Sequence, residues 1–256
     1  MNSLDSLKSS IISQFGTPCA VIDLDIIKKN ILRAQKICDA AGVANRPHIK
    51  THKSPLLAKM QIDAGARGIT CQKLGEAEVM AEAGIDDILI ATNILGAARS
   101  GRLASLQKRL PLKVCADNQI SLREYSKAAE AANRPLDVLI ECDTGQKRAG
   151  VEDPKEAANL VQSIIQDNWL KFSGLLYYPP LNGWNNTQVF HNSLTKMLDD
   201  LKAKAKIIST GGTPNFANVG KLKGATEHRA GTCIFNDMMM VEDGFAQISD
   251  CAFRVF

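Results

Sequence analysis

Several features that would assign this chain to a specialised class are missing from its sequence. The longest apolar runs are strand-sized, so no segment is long enough to span a bilayer. Basic residues form no long run and the net charge is only +4, which gives no indication of nucleic-acid binding. Residues 1–15 lack an apolar segment followed by a small-residue cleavage site, so no secretory signal is expected. We therefore expect a cytoplasmic protein without membrane or nucleic-acid partners.

The seven cysteines also lack any pattern that would define a function. They are odd in number and scattered, and no two have CxxC spacing. Disulfide frameworks and zinc sites need paired or clustered cysteines. His48 and His52 are not accompanied by other ligands at metal-binding spacing either. We expect reduced thiols and no metal site in this sequence.

Apolar strand-like runs alternate with amphipathic helices along most of the chain. A first strand is predicted at 18–24 with a helix after it, and the core strands at 48–51, 68–72, 87–92, 112–116, 136–143, 172–178, 207–210 and 225–230. Further helices are predicted at 54–63, 75–84, 97–109, 119–133, 154–168 and 187–203. This alternation favours an α/β fold, and eight short apolar strands suit a closed (β/α)8 TIM barrel. The rival is an open doubly wound sheet, but the glycine fingerprint of its nucleotide-binding form is absent. Residues 245–256 predict one more strand, with nothing after it to pair with.

Polar side chains follow nearly every predicted barrel strand. In a barrel the carboxyl ends of the strands meet at one rim, where active sites lie. These residues are Lys50, Thr51, His52, Cys71, Gln72, Lys73, Thr92, Asn93, Asp117, Asn118, Asp143, Thr144, Gln146, Arg148, Tyr177, Tyr178, Thr210, Gly211, Gly212, Thr213, Arg229, Gly231 and Thr232. So many hydrogen-bonding groups at one rim predict a binding site there.

Lys50 lies in the run RPHIKTHK, residues 46–53, which holds two lysines and two histidines. A lysine at the end of a buried strand loses its proton more easily than a surface lysine, because burial disfavours the charged form. A neutral lysine can form a Schiff base with a carbonyl compound. Lys50 and His52 could both move protons at such a site. The alternative is a basic surface loop after a helix.

The segment STGGTPN, residues 209–215, is a second signal. Its glycines permit close backbone approach and positive φ. Thr213 and Pro214 suit the start of a short helix, whose free N–H groups would face an anion. TIM barrels often bind phosphate with the loops after the seventh and eighth strands, and this segment and residues 230–232 follow the seventh and eighth predicted strands. The alternative is a plain glycine turn.

Arg148 and Tyr178 are two further candidates. The fixed fork of the Arg148 guanidinium could hold an oxygen on an aromatic cofactor, and the Tyr178 hydroxyl could bond a ring nitrogen. The alternatives are a surface arginine paired with Glu152 or Asp153, and a core tyrosine with a satisfied hydroxyl. A GxSxG nucleophile motif and a Walker phosphate loop are both absent.

Five motifs in this order resemble one enzyme family. They are RPHIKTHK (46–53), GITCQKLGEAEVM (68–80), DTGQKRAGV (143–151), STGGTPN (209–215) and TEHRAGT (226–232), preceded by TPCAVIDLDIIKKNI (17–31). Together they span nearly the whole chain and resemble the D-threonine aldolase and D-serine dehydratase family. Those enzymes use pyridoxal phosphate and have the alanine racemase fold, a (β/α)8 barrel plus a C-terminal β domain. The resemblance implies a homodimer in which that domain of one subunit covers the barrel of the other.

The resemblance also implies roles for individual residues. Lys50, rather than Lys53, would hold the cofactor through a Schiff base. Arg148 would lie near the phenolic oxygen of the cofactor and Tyr178 near its pyridine nitrogen, with Gln72 along the ring. The phosphate would be held by Thr210, Gly211, Gly212, Thr213, Gly231 and Thr232. Because a neutral tyrosine cannot stabilise a full positive charge on the ring nitrogen, carbanion stabilisation would be weaker than with an aspartate.

Two departures from the family pattern bear on the reaction. Family members continue past the point that corresponds to Phe256, with a β domain that carries a His-x-Cys or His-x-Asp metal site, and no such pair is found here. A divalent metal is therefore expected only with a longer C-terminal domain. The aldolases of the family also carry a histidine after the strand-six tyrosine, where this sequence has Pro179 and Pro180.

The expected organisation has three parts. Residues 1–24 would form an N-terminal segment whose strand joins the second domain, residues 25–240 the pyridoxal phosphate-binding barrel, and residues 241–256 the start of a truncated β domain. An apolar last strand without a partner would promote association, so poor solubility or an altered oligomer is expected.

The resemblance predicts a pyridoxal phosphate-dependent lyase that acts on small D-configured β-hydroxy amino acids. The reaction would be retro-aldol cleavage of the Cα–Cβ bond or elimination of water. The alternatives are a non-catalytic barrel that binds and carries pyridoxal phosphate, an amino acid racemase, and a fragment of a longer enzyme.

Overall fold

The structure, a computed structural model, describes residues 3–256. Its strands are β1 (Ala20–Ile22), β2 (Ala44–Asn45), β3 (Ile69–Cys71), β4 (Ile88–Ile90), β5 (Leu112–Ala116), β6 (Leu136–Cys142), β7 (Leu170–Tyr177), β8 (Ile207–Gly211), β9 (Glu227–Arg229) and β10 (Phe253–Val255). Its α-helices are α1 (Ser3–Phe15), α2 (Leu24–Ala40), α3 (Pro55–Asp63), α4 (Leu74–Glu82), α5 (Ala97–Arg109), α6 (Gln119–Ala132), α7 (Pro154–Gln166), α8 (Trp184–Asp200) and α9 (Met238–Glu242). Among these helices, none combines the length and apolar character that a membrane crossing requires.

Strands β2 to β9 form one parallel sheet that curls into a barrel. From β3 to β9 each strand is bonded to the next along the chain, and β9 returns to β2. Backbone hydrogen bonds span the remaining gap between β2 and β3: Arg67 N donates to Asn45 O at 2.9 Å, and Thr70 N donates to Pro47 O at 2.8 Å. Helices α3 to α8 alternate with the strands. The predicted (β/α)8 barrel is therefore confirmed.

Both faces of the central strands are buried. Along β4, Ile88 and Ile90 belong to the large apolar cluster that includes the outer helices, whereas Leu89 belongs to a small separate cluster. The other buried members of that small cluster are Cys115, Leu139 and Leu176. Because successive side chains of a strand point to opposite faces, the small cluster fills the barrel interior. Burial of both faces explains why these strands read as continuous apolar runs.

Charged side chains meet inside the barrel near the amino ends of β4, β5 and β9. Arg46 is almost fully buried, and its Nη1 lies 2.7 Å from Asp87 Oδ1 while its Nε lies 2.8 Å from Glu227 Oε2. Lys113 Nζ lies 2.8 Å from Asp87 Oδ1. Burial opposes the charged form of Arg46, but Glu227 and Asp87 raise its pKa. Each charged side chain of this cluster has a partner of opposite charge, which allows it to remain ionised in the interior.

The first and last strands form a small sheet of their own. β1 and β10 are antiparallel, with Val21 opposite Arg254. Cys19 and Phe256 extend the ladder by exchanging two backbone hydrogen bonds, at 2.8 and 2.9 Å. The prediction that the last strand has nothing to pair with is therefore wrong. Its partner is β1, which lies in the N-terminal segment whose strand is predicted to join the second domain.

The segment before β10 is attached to the barrel through α2. Asn30 Nδ2 donates to Ile234 O at 3.1 Å and to Asp250 O at 2.8 Å. Arg33 Nη1 forms an ion pair with Asp250 at 2.8 Å. Residues of the predicted third part therefore pack on a helix of the predicted second part.

The first barrel strand differs most from its prediction. The strand is predicted at residues 48–51, but in the structure it is β2, at Ala44–Asn45. Ile49–Thr51 instead form one turn of 3₁₀ helix. His48 starts this turn, because its Nδ1 accepts a hydrogen bond from Lys50 N at 3.4 Å. Lys50 therefore lies on a tight turn just beyond the strand. Helix α1 has no counterpart among the predicted elements.

Candidate active site

A cleft opens where the carboxyl ends of the barrel strands meet, with a cavity of about 200 Å³. Of the residues predicted from the sequence, it brings together Lys50, Gln72, Arg148, Tyr178, Gly212, Thr213, Gly231 and Thr232. It is also lined by His48, Ala91, Asn93, Glu141, Asp143 and Arg229. A cavity at this rim with convergent polar groups is a candidate ligand site.

Lys50 is the amine in this cleft, and its pKa is lowered. Burial is the largest cause, and the positive charges of Arg148 and Arg229 lower the pKa further, whereas Glu76 raises it. The residue as a whole is nevertheless exposed, so the amine is accessible from the cleft. A lysine with a lowered pKa has a larger neutral fraction at physiological pH and is a better nucleophile.

His48 lies beside Lys50 and is buried. Burial lowers its pKa to about 3, with further contributions from the charges of Lys50 and Arg229. Its Nε2 lies 3.2 Å from Gln72 Oε1. Near neutral pH His48 is therefore an uncharged imidazole that adds no positive charge beside the lysine.

Two glycine turns also line the cleft. Gly212 has φ of +104°, and a Cβ there would lie 2.9 Å from Tyr178 Cε2. A Cβ on Gly231 would lie 2.8 Å from His48 O. Both glycines directly precede short 3₁₀ helices, Thr213–Asn218 and Thr232–Ile234. At both positions a side chain would collide with a neighbour, and the absence of a Cβ lets the backbone of each turn be approached closely from the cleft.

Asp143 holds the loop that carries Arg148. Its Oδ1 accepts hydrogen bonds from Gly145 N at 2.9 Å and Gln146 N at 2.7 Å, and its Oδ2 accepts from Arg148 N at 2.7 Å. Burial opposes ionisation of Asp143, but these backbone donors outweigh it and lower its pKa. The guanidinium of Arg148 lies over the Tyr178 ring, 5.5 Å from its centroid. A charged carboxylate therefore fixes the loop and leaves the guanidinium facing the cleft.

Arg229 and Glu141 are charged residues of the cleft to which the sequence analysis gives no specific role: Arg229 is predicted only as one of the rim residues, and Glu141 lies within the predicted strand 136–143. Arg229 Nη1 donates to Ser209 Oγ at 2.5 Å and its Nη2 donates to Tyr177 O at 3.0 Å. Burial raises the pKa of Glu141, an effect that Arg229 opposes. The signal for Glu141 is a charged residue on the predominantly apolar strand β6.

Of the residues with a predicted catalytic or cofactor-binding role, three do not line the cleft: His52, Thr210 and Gly211. His52 Nε2 lies 3.2 Å from Gln61 Oε1 on α3, and its Nδ1 accepts from Ser54 N at 3.0 Å. His52 follows the one-turn helix at Ile49–Thr51 and is not among the residues that line the cleft, whereas His48, which precedes that turn, lines it together with Lys50. Thr210 is buried, with its Oγ1 3.0 Å from His228 Nδ1, and Gly211 is the last residue of β8.

No group of three His, Cys, Asp or Glu side chains that could hold a metal ion is found within residues 3–256.

The family described as alanine racemase, N-terminal domain, matches residues 22–238. The chain belongs to this family. It is 38% identical over 167 residues to a D-threonine aldolase of Arthrobacter sp., which covers 65% of this chain and 44% of that protein. It is 32% identical over 251 residues to a D-threo-3-hydroxyaspartate dehydratase of Delftia sp., which covers 93% of this chain and 66% of that protein. The chain thus spans between about two fifths and two thirds of the length of these relatives.

Solved structures agree with this assignment. The crystal structure of D-threonine aldolase from Filomicrobium marinum matches with a TM-score of 0.87 and 30% identity, over 93% of this chain and 68% of that one. Alanine racemase from Streptomyces lavendulae matches with a TM-score of 0.72 at 18% identity and shares the fold. The predicted resemblance to the D-threonine aldolase and D-serine dehydratase family is confirmed, since a D-serine dehydratase of Dictyostelium discoideum is 26% identical over 276 aligned positions, covering 95% of this chain and 69% of that protein.

Proposed function

We propose that this chain binds pyridoxal phosphate in the cleft, covalently through Lys50, and belongs to a lyase that acts on D-configured β-hydroxy amino acids. The observation that carries the proposal is that the Lys50 amine and two glycine turns line the same small cavity. The names of the relatives, which include D-threonine aldolase and D-threo-3-hydroxyaspartate dehydratase, support the reaction class.

The glycine turns fit the phosphate group. Gly212, Thr213, Gly231 and Thr232 line the cleft at the starts of two short helices. Backbone N–H groups at such positions bind anions, and glycine lets the backbone approach the ligand closely. We assign the phosphate to these four residues, with Gly211 and Thr210 supporting the turn from below.

The remaining residues fit an aromatic ring with polar substituents. The structure shows no ion pair for the Arg148 side chain among the described residues, and no hydrogen bond from its guanidinium. This guanidinium would bind the phenolic oxygen, the Tyr178 hydroxyl would bond the ring nitrogen, and Gln72 would border the ring. A ligand with an aldehyde, a phenolic oxygen and a phosphate therefore has a partner for each group.

Pyridoxal phosphate, when bound, supplies an electron sink for the bond that breaks at Cα of the substrate. The protein supplies the nucleophile and the proton carrier. A lowered pKa keeps more of the Lys50 amine neutral and able to attack a carbonyl. When it is not bonded to the cofactor, the Lys50 amine would be placed to accept or return a proton at Cα of the substrate.

The residues after Tyr178 bear on how the substrate hydroxyl is handled. Pro179 and Pro180 carry no titratable group. The titratable side chains that line the cleft include Tyr178, Glu141 and Lys50. Burial raises the pKa of Glu141, so more of its carboxyl carries a proton than that of an exposed glutamate. We propose that one of these side chains replaces the missing histidine.

Borohydride reduction of the protein after incubation with pyridoxal phosphate, followed by peptide mapping, tests the cofactor assignment. We expect the label on Lys50 and not on the adjacent Lys53. A label elsewhere would overturn the assignment.

Product analysis tests the reaction class. With D-threonine, D-serine and D-3-hydroxyaspartate as substrates, glycine plus an aldehyde indicates retro-aldol cleavage, and ammonia plus a keto acid indicates elimination. Loss of optical rotation without either product would support a racemase instead. A Lys50 label without turnover on any of the three would favour the non-catalytic carrier.

A further inference from the structure

Two histidine–glutamine pairs with nearly the same geometry flank the turn that carries Lys50. In the first pair, His48 Nε2 lies 3.2 Å from Gln72 Oε1, and His48 Nδ1 accepts from the backbone N–H two residues later, that of Lys50. In the second pair, His52 Nε2 lies 3.2 Å from Gln61 Oε1, and His52 Nδ1 also accepts from the N–H two residues later. Of the two pairs, the first lines the cleft.

The hydrogen bonds of the first pair have a defined direction. Gln72 Nε2 donates to Ala91 O at 3.3 Å, which turns Gln72 Oε1 toward His48. Because His48 Nδ1 accepts from Lys50 N, the proton of the neutral imidazole must be on Nε2, where it is donated to Gln72. One series of bonds therefore runs from the end of β4, through Gln72 and His48, to the backbone of Lys50.

The other side of the turn is also fixed. His48 N donates to Ala230 O at 2.9 Å. A Cβ on Gly231 would lie 2.8 Å from His48 O and 3.1 Å from Thr51 Oγ1, so the backbones are already in close contact. The Lys50 turn is thus held between β3 and the loop after β9. Because the His48 backbone is held in this way, we expect removal of the His48 ring to shift the backbone of Lys50, to which the ring is bonded.

We propose that His48, oriented by Gln72, is a positioning residue that holds the Lys50 turn so that the lysine amine faces the cleft. His48 acts through the backbone of Lys50. This inference rests on the proposed function only in giving Lys50 its cofactor; the placement of the Lys50 amine can be measured without one.

Charges around Lys50 give this placement a measurable consequence. Glu76 on α4 raises the pKa of the amine, whereas Arg148 after β6, Arg229 on β9 and burial lower it. His48 is itself neutral near physiological pH. A turn that relaxes out of the cleft loses burial and moves away from the two arginines. The lysine then becomes more basic and less reactive at neutral pH.

Competitive acetylation with acetic anhydride, read by peptide mass spectrometry, measures the reactivity of single lysines in the cofactor-free protein. We would record it from about pH 6 to about pH 11 for the native protein and for His48→Leu, Gln72→Leu and His52→Leu, with Lys53 as internal reference. His48→Leu should lower Lys50 acetylation at about pH 8 roughly ten-fold and move its midpoint up by about one pH unit. Gln72→Leu should act in the same direction, with no additional effect in the double variant.

His52→Leu is the matched control, because it removes bonds of the same kind, 3.2 and 3.0 Å long against 3.2 and 3.4 Å for His48, at a site outside the cleft. It should lower the unfolding temperature and leave Lys50 acetylation unchanged. His48→Asn should restore most of the reactivity, since an asparagine oxygen can accept the N–H of a turn. Circular dichroism confirms that each variant is folded, and if His48→Leu is not, His48→Asn and Gln72→Leu carry the test.

Native Lys50 reactivity in a folded His48→Leu or Gln72→Leu variant would overturn the proposal, as would an equal loss in His52→Leu. Borohydride labelling with pyridoxal phosphate is run in parallel. If native Lys50 takes no label there, the proposed function fails while the acetylation result still decides the role of His48.

Discussion

Gly231 lies so close to the Lys50 turn that a side chain cannot be added without moving one of them. The nearest backbone atom to its missing Cβ is His48 O, at 2.8 Å. We expect Gly231→Ala to displace the turn and weaken pyridoxal phosphate binding at least about ten-fold, measured by absorbance titration. Gly101→Ala on α5 is the control, because a Cβ there meets nothing within 4 Å. It should leave binding unchanged and stabilise the protein by about 0.5–1 kcal/mol.

Arg148 is a second residue whose effect on Lys50 can be measured. Its positive charge lowers the pKa of Lys50, after the larger effect of burial. Arg148→Leu should therefore raise the pKa, and the midpoint of Lys50 acetylation in the cofactor-free protein should move to higher pH. Arg99→Leu, an exposed arginine on α5, should leave the midpoint in place. A shift to lower pH in Arg148→Leu would contradict the electrostatic account.

At the scale of elements, the ion pairs of Arg46 hold β2 to β4 and β9. Arg46→Leu would leave the fully buried Glu227 without its guanidinium partner. Removing one member of a buried pair costs about 3–5 kcal/mol, and we expect a loss of that size in urea unfolding. Arg102→Leu removes an exposed arginine paired with Glu78 and should cost less than about 1 kcal/mol. Similar losses of unfolding free energy in the two variants would show that the buried pair contributes no more to stability than the exposed one.

The elements that the sequence predicts well are those with strong local patterns. β5 is predicted with the same bounds, and α5 likewise, because an apolar run or a helical period is visible within one segment. The Lys50 turn is missed because His48 caps it with a side-chain bond, which propensity does not show. The candidate site shows the same difference between features that a local sequence pattern reveals and features that depend on the fold. Glycine turns and Lys50 are recognised by motif, whereas the place of His48 and Arg229 depends on which strands are neighbours in the barrel.

At the scale of the whole molecule, the sheet of β1 and β10 is an exposed surface. It has only two strands, so both have an edge without a strand partner in the described chain. Ile22, Phe253 and Val255 are 40%, 46% and 62% exposed. We expect this sheet, rather than an unpaired last strand, to drive self-association of the chain, including the homodimer that the family resemblance implies.

A double variant tests this surface. Phe253→Lys with Val255→Lys should lower the average mass seen by light scattering, because charged side chains on an edge strand oppose pairing. Leu56→Lys with Val189→Lys is the control, since both residues are exposed on barrel helices. A native protein that is already a monodisperse monomer would contradict the prediction.

The short β2 strand determines where we expect the barrel to open locally. β6 and β7 pair over seven positions. Between β2 and β3, the described residues show two backbone bonds, from Arg67 N and Thr70 N, one isolated bridge, and a bond from Thr70 Oγ1 to Arg46 O at 3.2 Å. Local opening begins where the fewest hydrogen bonds must break together. In native-state hydrogen exchange the amides of Arg67 and Thr70 should therefore lose protection before those of β6. Lys50 lies beside this gap, so the barrel would open next to the lysine that we propose binds the cofactor. A ligand that bridges the rim should slow the exchange there most.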